Sequence, residues 1–176
     1  MRAMPDVALP YDHLPADAPK AARYAELRTR VRALLDGETD AIANLANATA
    51  EVYALLPDLN WAGFYLMKGG ELVVGPFQGR PACVRIAVGR GVCGTAVAER
   101  ATQVVADVHA FAGHIACDPR SRAEIVVPVR VDGAVVAVLD LDSERPGRFD
   151  EADRVGHEAL VAELAPLIDW GRATAP

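Results

Sequence analysis

The stretch "AEIVVPVRVDGAVVAVLDLDSE", Ala123 to Glu144, decides the fold. Two runs rich in Val, Ile and Leu flank Asp132-Gly133, the short-range signature of an antiparallel hairpin. Side chains of a strand alternate between faces. Leu139 and Leu141 therefore project to one side of the second strand, and Asp140 and Asp142 to the other. Glu124, at the start of the first strand, adds a third carboxylate. A two-residue turn would pair Val131 with Ala134 and set Glu124 opposite Leu141, away from Asp140. A three-residue loop with Gly133 in the left-handed conformation pairs Arg130 with Ala134 and sets Glu124 opposite Asp140. The three-residue loop is the expected register; it also puts Ile125 and Val127 on one face with Leu139 and Ala137.

Outward from the hairpin, the chain divides into helices at its ends and strands in its middle. Pro19 to Leu35 carries Tyr24, Leu27, Val31, Leu34 and Leu35 at helical spacing, ended by Asp36-Gly37. Thr39 or Asp40 can cap a second helix that Pro57 stops. Trp61–Met67 and Leu72–Phe77 read as strands joined at Gly69-Gly70, followed by a short strand Val84–Val88. A short helix fits Gly94–Glu99, and Thr102–Ala106 is a further strand. Residues 108–122 form a long irregular segment, and long ordered loops often carry function. A helix over Phe149–Trp170, acidic in its first turn, closes the chain. The expected class is α+β: about six mostly antiparallel strands, helices on one face, and loops free to build a pocket on the other. Residues 1–18 are expected to be an N-terminal arm and 19–176 a single domain.

Composition narrows the function. The 176 residues are 52% hydrophobic, ample for a core, and carry a net charge of −6. That balance argues against nucleic acid or an anionic membrane as partner, since either needs a basic face. It leaves room for a cationic ligand, or a zwitterion held by its ammonium. No apolar stretch approaches the ~20 residues of a membrane span. The first residues lack the continuous apolar run of an export signal, so the cytoplasm, where thiols stay reduced, is the expected compartment.

Three cysteines lie far apart: Cys83, Cys93 and Cys117. No C-x-x-C pair or other familiar ligand spacing occurs, even with His109 and His114 near Cys117, so no metal is expected. Buried thiols acting as small hydrophobes are the ordinary reading. Cys117 resists it, because "GHIACDPRSRAE" sets it in a loop beside charges. Arg120 and Arg122 could supply the positive charge that lowers a thiol pKa. Cys93, in "GRGVCGTAV" just before a helix start, could gain the same from the helix dipole. The glycines there lack the lysine of a phosphate-binding loop. A thiol near three carboxylates is rarer than either alone, although Asp140 and Asp142 could also be an ordinary solvated strand end. Trp61 and Tyr65 share a parity that Phe64 does not, as core packing or as an aromatic wall for an apolar or thioether ligand.

With these residues in view, the chain resembles the free methionine-R-sulfoxide reductases, stand-alone GAF-domain proteins. The matching segments are "NWAGFYL", "GPFQGRPACVRI", "VGRGVCGTAV", "DVHAFAGHIACDPRSRAEIVVPV" and "VLDLDSERPGRFDEAD". The resemblance implies a GAF fold and reduction of free L-methionine-(R)-S-oxide. It implies Cys117 as nucleophile, Cys83 as the thiol that resolves it in a disulfide, and Cys93 as auxiliary or alternative partner. Trp61, Tyr65, Glu124, Asp140 and Asp142 would line the substrate pocket. No bound cofactor is implied; thioredoxin, driven by NADPH, would restore the dithiol, and the chain would form a homodimer. Which carboxylate protonates the sulfoxide and which holds the ammonium stays open, as does the choice between Cys83 and Cys93. The alternative is a non-catalytic GAF sensor of a small molecule.

Overall fold

A computed structural model describes residues 14–15, 17–115 and 117–174. Most of the expected N-terminal arm lies outside the described residues. Six antiparallel strands form one sheet in the order β3-β2-β1-β6-β5-β4. They are β1 (Trp61–Lys68), β2 (Glu71–Gly79), β3 (Arg85–Ala87), β4 (Gln103–Val105), β5 (Ala123–Val131) and β6 (Ala134–Ser143). Helices α1 (Lys20–Leu35), α2 (Ala41–Leu55) and α4 (Glu151–Leu164) cover one face, and α3 (Gly91–Glu99) packs on the other.

Local chemistry sets the boundaries. Asp40 caps α2 by accepting from the Ala43 amide at 2.8 Å. Asp150 and Asp153 form a reciprocal capping box at the start of α4. The closing helix is shorter than expected. Pro166 cannot donate to a preceding turn, so α4 ends at Leu164, a 3-10 turn spans Ala165–Leu167, and a separate short helix α5 covers Trp170–Ala173.

The alternation read in the hairpin holds. Phe64, Ile125, Leu139 and Leu141 join the core beneath α1, α2 and α4. Trp61, Tyr65, Val126 and Val138 join a second core beneath α3. The expected three-residue loop is not what forms. Val131 pairs with Ala134 across a two-residue turn, with Asp132 at φ 50° and Gly133 at φ 80°. An Asp-Gly pair with both residues left-handed matches the twist of the flanking strands, which favours that turn. A bulge then inserts one residue of β6, so Val129 pairs with Ala137 and Glu124 pairs with Asp142 rather than with Asp140. Asp140 sits opposite Val126, one step diagonally from Glu124 and on its face. The register differs from the expectation, and the shared carboxylate face survives because the bulge restores the parity.

Candidate active site

The face beneath α3 carries a small cavity of about 40 Å³. Strand β1 contributes Trp61 and Tyr65, β5 contributes Glu124, β6 contributes Asp140 and Asp142, and α3 contributes Cys93. The loop between β4 and β5 closes it with His114, Ile115, Cys117, Asp118 and Ser121. Four of the lining residues are carboxylic acids, and among the described residues that line it there is no Lys or Arg.

Trp61 stacks on Tyr65 with centroids 5.8 Å apart, and on Phe77 of β2 at 5.4 Å. Gly63 makes the second contact possible, because a Cβ there would lie 2.4 Å from that of Phe77. The Trp61 indole donates to the Arg80 carbonyl at 3.2 Å, and the Tyr65 hydroxyl donates to the Cys83 carbonyl at 3.0 Å. The aromatic wall thus holds the Arg80–Cys83 segment against the cavity.

Cys83 and Cys117 are joined as a disulfide with their Cα atoms 5.5 Å apart. Both are half-buried, and Cys93, the free cysteine, is buried. The structure brings together all the expected site residues on this one side of the sheet. Three expectations about their surroundings change. Helix α3 begins at Gly91, so Cys93 lies inside its first turn. Its thiol is not eased into the thiolate by the helix dipole. Burial, then the charges of Asp140 and Glu124, push its pKa well above the ordinary value. Arg120 is engaged by Asp118 and Glu144, and Arg122 by Asp107, so both arginines spend their charge on surface pairs.

Three of the four carboxyls are pushed up, while hydrogen bonds from Arg120 hold Asp118 down at about 2. Burial, then repulsion from Asp140 and Asp142, raises Glu124 well above its ordinary range. Burial raises Asp140 to about 7, partly offset by hydrogen bonds it accepts from Cys93 and Glu124. Burial, then Asp140, raises Asp142 as well, against a hydrogen bond from Ser121. Cys93 Sγ lies 3.9 Å from Glu124 Oε1, donating toward it.

Sequence reasoning did not assign His114, Ser121, Asn60 or Phe77 to the site. Asn60 donates to Ser121 Oγ at 2.9 Å, which frees the serine hydroxyl to donate to Asp142. His114 Nδ1 lies 4.0 Å from Glu124 Oε2. The "NWAGFYL" segment held Asn60 in plain view, but the contact to Ser121 crosses 61 residues and leaves no local pattern.

An antiparallel six-stranded sheet with terminal helices on one face and a loop-closed pocket on the other is the architecture of a GAF domain, and the GAF domain family model matches residues 30–168. Free methionine-R-sulfoxide reductase of Escherichia coli (strain K12) is 52% identical over 149 residues, covering 85% of this chain and 90% of that protein. The X-ray structure of free methionine-R-sulfoxide reductase from Neisseria meningitidis in complex with its substrate superposes with a TM-score of 0.85 at 43% identity, over 92% of this chain and 97% of that one. The reduced form of fRMsr of Staphylococcus aureus gives a TM-score of 0.79 at 49% identity, over 82% and 94%. The chain belongs to the free methionine-R-sulfoxide reductases of the GAF-domain family.

Proposed function

We propose that this protein reduces free L-methionine-(R)-S-oxide to L-methionine. The observation that carries the reading is a pocket holding the three raised carboxyls Glu124, Asp140 and Asp142, with no Lys or Arg among the described residues that line it and a disulfide pair at its edge. Such a pocket suits a ligand bearing an ammonium. It disfavours a methionine residue inside a protein, which has no ammonium and would leave desolvated carboxylates unpaired. The stacked Trp61 and Tyr65 supply an apolar wall for the S-methyl end.

In this mechanism Cys117 attacks the positive sulfur of the sulfoxide. Burial and mutual repulsion keep at least one carboxyl of Glu124, Asp140 and Asp142 protonated at neutral pH, and that proton goes to the sulfoxide oxygen. The remaining carboxylate charge holds the ammonium. In net terms oxygen passes from the substrate sulfur to Cys117 Sγ: the sulfoxide becomes a thioether, and Cys117 becomes a sulfenic acid. The Cys83 thiol condenses with it, releasing water and forming the disulfide. Two electrons and two protons from thioredoxin, supplied in turn by NADPH, restore both thiols. Cys93 is an auxiliary thiol. No bound cofactor is needed, and we place the enzyme in the cytoplasm as a homodimer. Among the described residues, no helix is long and apolar enough to cross a membrane.

The test is NADPH consumption coupled to thioredoxin with the free R- and S-sulfoxides compared. The R form should be consumed and the S form spared; no consumption of the R form overturns the reading. Single-turnover variants divide the steps. Cys117→Ser should release no methionine. Cys83→Ser should release about one equivalent per chain and then stall, as a trapped intermediate requires. Stoichiometric methionine from Cys117→Ser would make another thiol the nucleophile.

A further inference from the structure

We infer that Cys93, Glu124 and Asp140 form a binding site for a thiophilic divalent cation of the zinc class, which competes with organic ligands for the pocket. One ligand atom from each of the three residues lies within 4.8 Å of the others, and all three side chains are buried. Cys93 Sγ and Glu124 Oε1 are 3.9 Å apart. In a tetrahedral zinc site, with Zn–S of about 2.3 Å and Zn–O of about 2.0–2.2 Å, ligand atoms stand roughly 3.3–3.7 Å from one another. A contraction of about 1 Å therefore closes the set around an ion.

A second observation points to a missing ligand. Asp140 is 5% exposed, and its Oδ1 has no hydrogen-bond partner. An unpaired buried carboxylate oxygen is costly unless something cationic meets it. The substrate ammonium proposed above would meet that cost, but it has no use for a sulfur donor. The thiol is what selects a metal, because a sulfur donor beside carboxylates suits a borderline-soft cation better than a hard one. His114 Nδ1, 4.0 Å from Glu124 Oε2, lies outside this three-residue set. As the ion binds, the thiol proton leaves to solvent and a metal–sulfur bond forms. No electron is transferred.

The site needs neither Cys83 nor Cys117. Cys93 remains a free thiol while those two are bonded, so the oxidised protein can hold the ion. This separates the inference from the reductase reading: it is measured without turnover. A protein that binds the metal but reduces no sulfoxide would lose the function and keep the site, and the converse result would do the opposite.

The experiment is a titration of the disulfide form with Cd²⁺, followed by the ultraviolet thiolate-to-cadmium charge-transfer band, with Zn²⁺ as competitor. One ion per chain should bind with the band present, and Zn²⁺ should remove it. Cys93→Ser should abolish the band. It should also weaken binding by more than the roughly 10–100-fold that loss of an outer-shell partner costs. Asp140→Asn should keep the band and weaken binding, and free methionine-(R)-sulfoxide in excess should displace the ion. Binding without the band, or an unchanged affinity in Cys93→Ser, overturns the site. Circular dichroism checks that this variant folds. Should it not, unchanged stoichiometry and affinity in Asp140→Asn overturns the site equally.

Discussion

Asp153 and Asp140 lie on opposite sides of the same domain, both shut away from water, and their environments have opposite effects. Asp153 is fully buried, yet it accepts from the Tyr24 hydroxyl at 2.8 Å, from Arg148 at 3.0 and 3.1 Å, from the Asp150 amide at 3.0 Å, and from Lys20. Burial alone would raise its pKa, but these donors outweigh burial and hold it at about 2. Asp140 has acids and a thiol for neighbours, and its pKa rises to about 7. The first cluster is complete within the protein and staples α1 to α4. The second has no cationic side chain among the described residues that line it, which is how a binding site differs physically from a structural ion pair of equal burial.

The comparison breaks if the two clusters respond alike to mutation. The largest expected effect is on activity. Asp142→Asn and Glu124→Gln keep the side-chain shape but remove charge and proton, and each should cost ~10²–10⁴-fold in turnover. Their urea midpoints should hold or rise, since each relieves repulsion among buried acids. Near-normal turnover in both would reduce the trio to a polar strand end. On the other side, Asp153→Ala strands the buried Arg148 guanidinium and should cost about 3–5 kcal/mol by urea unfolding, with turnover per folded chain unchanged.

The next effect is smaller and depends on pH. His157 is fully buried beside Tyr24, and burial depresses its pKa from 6.5 to about 4. The unfolded chain binds the proton first, so the His157 contribution to stability should fall as pH drops from about 6.5 toward 4, by on the order of 3 kcal/mol, while Asp140, raised to about 7, acts in the opposite sense over the same range. Asp153 adds a further loss below its ordinary 3.8. The difference in urea stability between the wild type and His157→Gln should change by about that amount across the window; a difference that does not vary with pH would remove His157 as its source. Smallest of all should be Cys93→Ser in a first turnover, where methionine release should stay near one equivalent per chain. A large loss would draw Cys93 into the attack itself.

Much of the site was legible because strand parity is a strict rule. Alternation alone put Asp140 with Asp142, and Trp61 with Tyr65 apart from Phe64; Glu124 was expected on the acid face only through a three-residue loop that does not form. The pairing of Glu124 was not, because a one-residue bulge in β6 has no composition signal and shifts every partner beyond it. The role of the arginines beside Cys117 misled for a related reason. Nearness in sequence said nothing of Asp107, which reaches Arg122 across 15 residues. The Asp153 cluster was invisible altogether. Tyr24 and Asp153 are 129 residues apart, and their approach depends on Gly156, where a Cβ would lie 2.3 Å from the Tyr24 ring.

The disulfide also alters the chain's topology. Joining residues separated by 34 positions turns β3, α3, β4 and most of the closing loop into a covalent ring that contains Cys93. A loop of that size removes enough freedom from the unfolded chain to favour the folded state by roughly 3–4 kcal/mol in the chain-entropy view. The protein is therefore most robust with its thiols spent and most fragile when they are free. Its melting temperature then works as a gauge of redox state. A single proteolytic nick inside the ring would release no fragment until a reductant opened it.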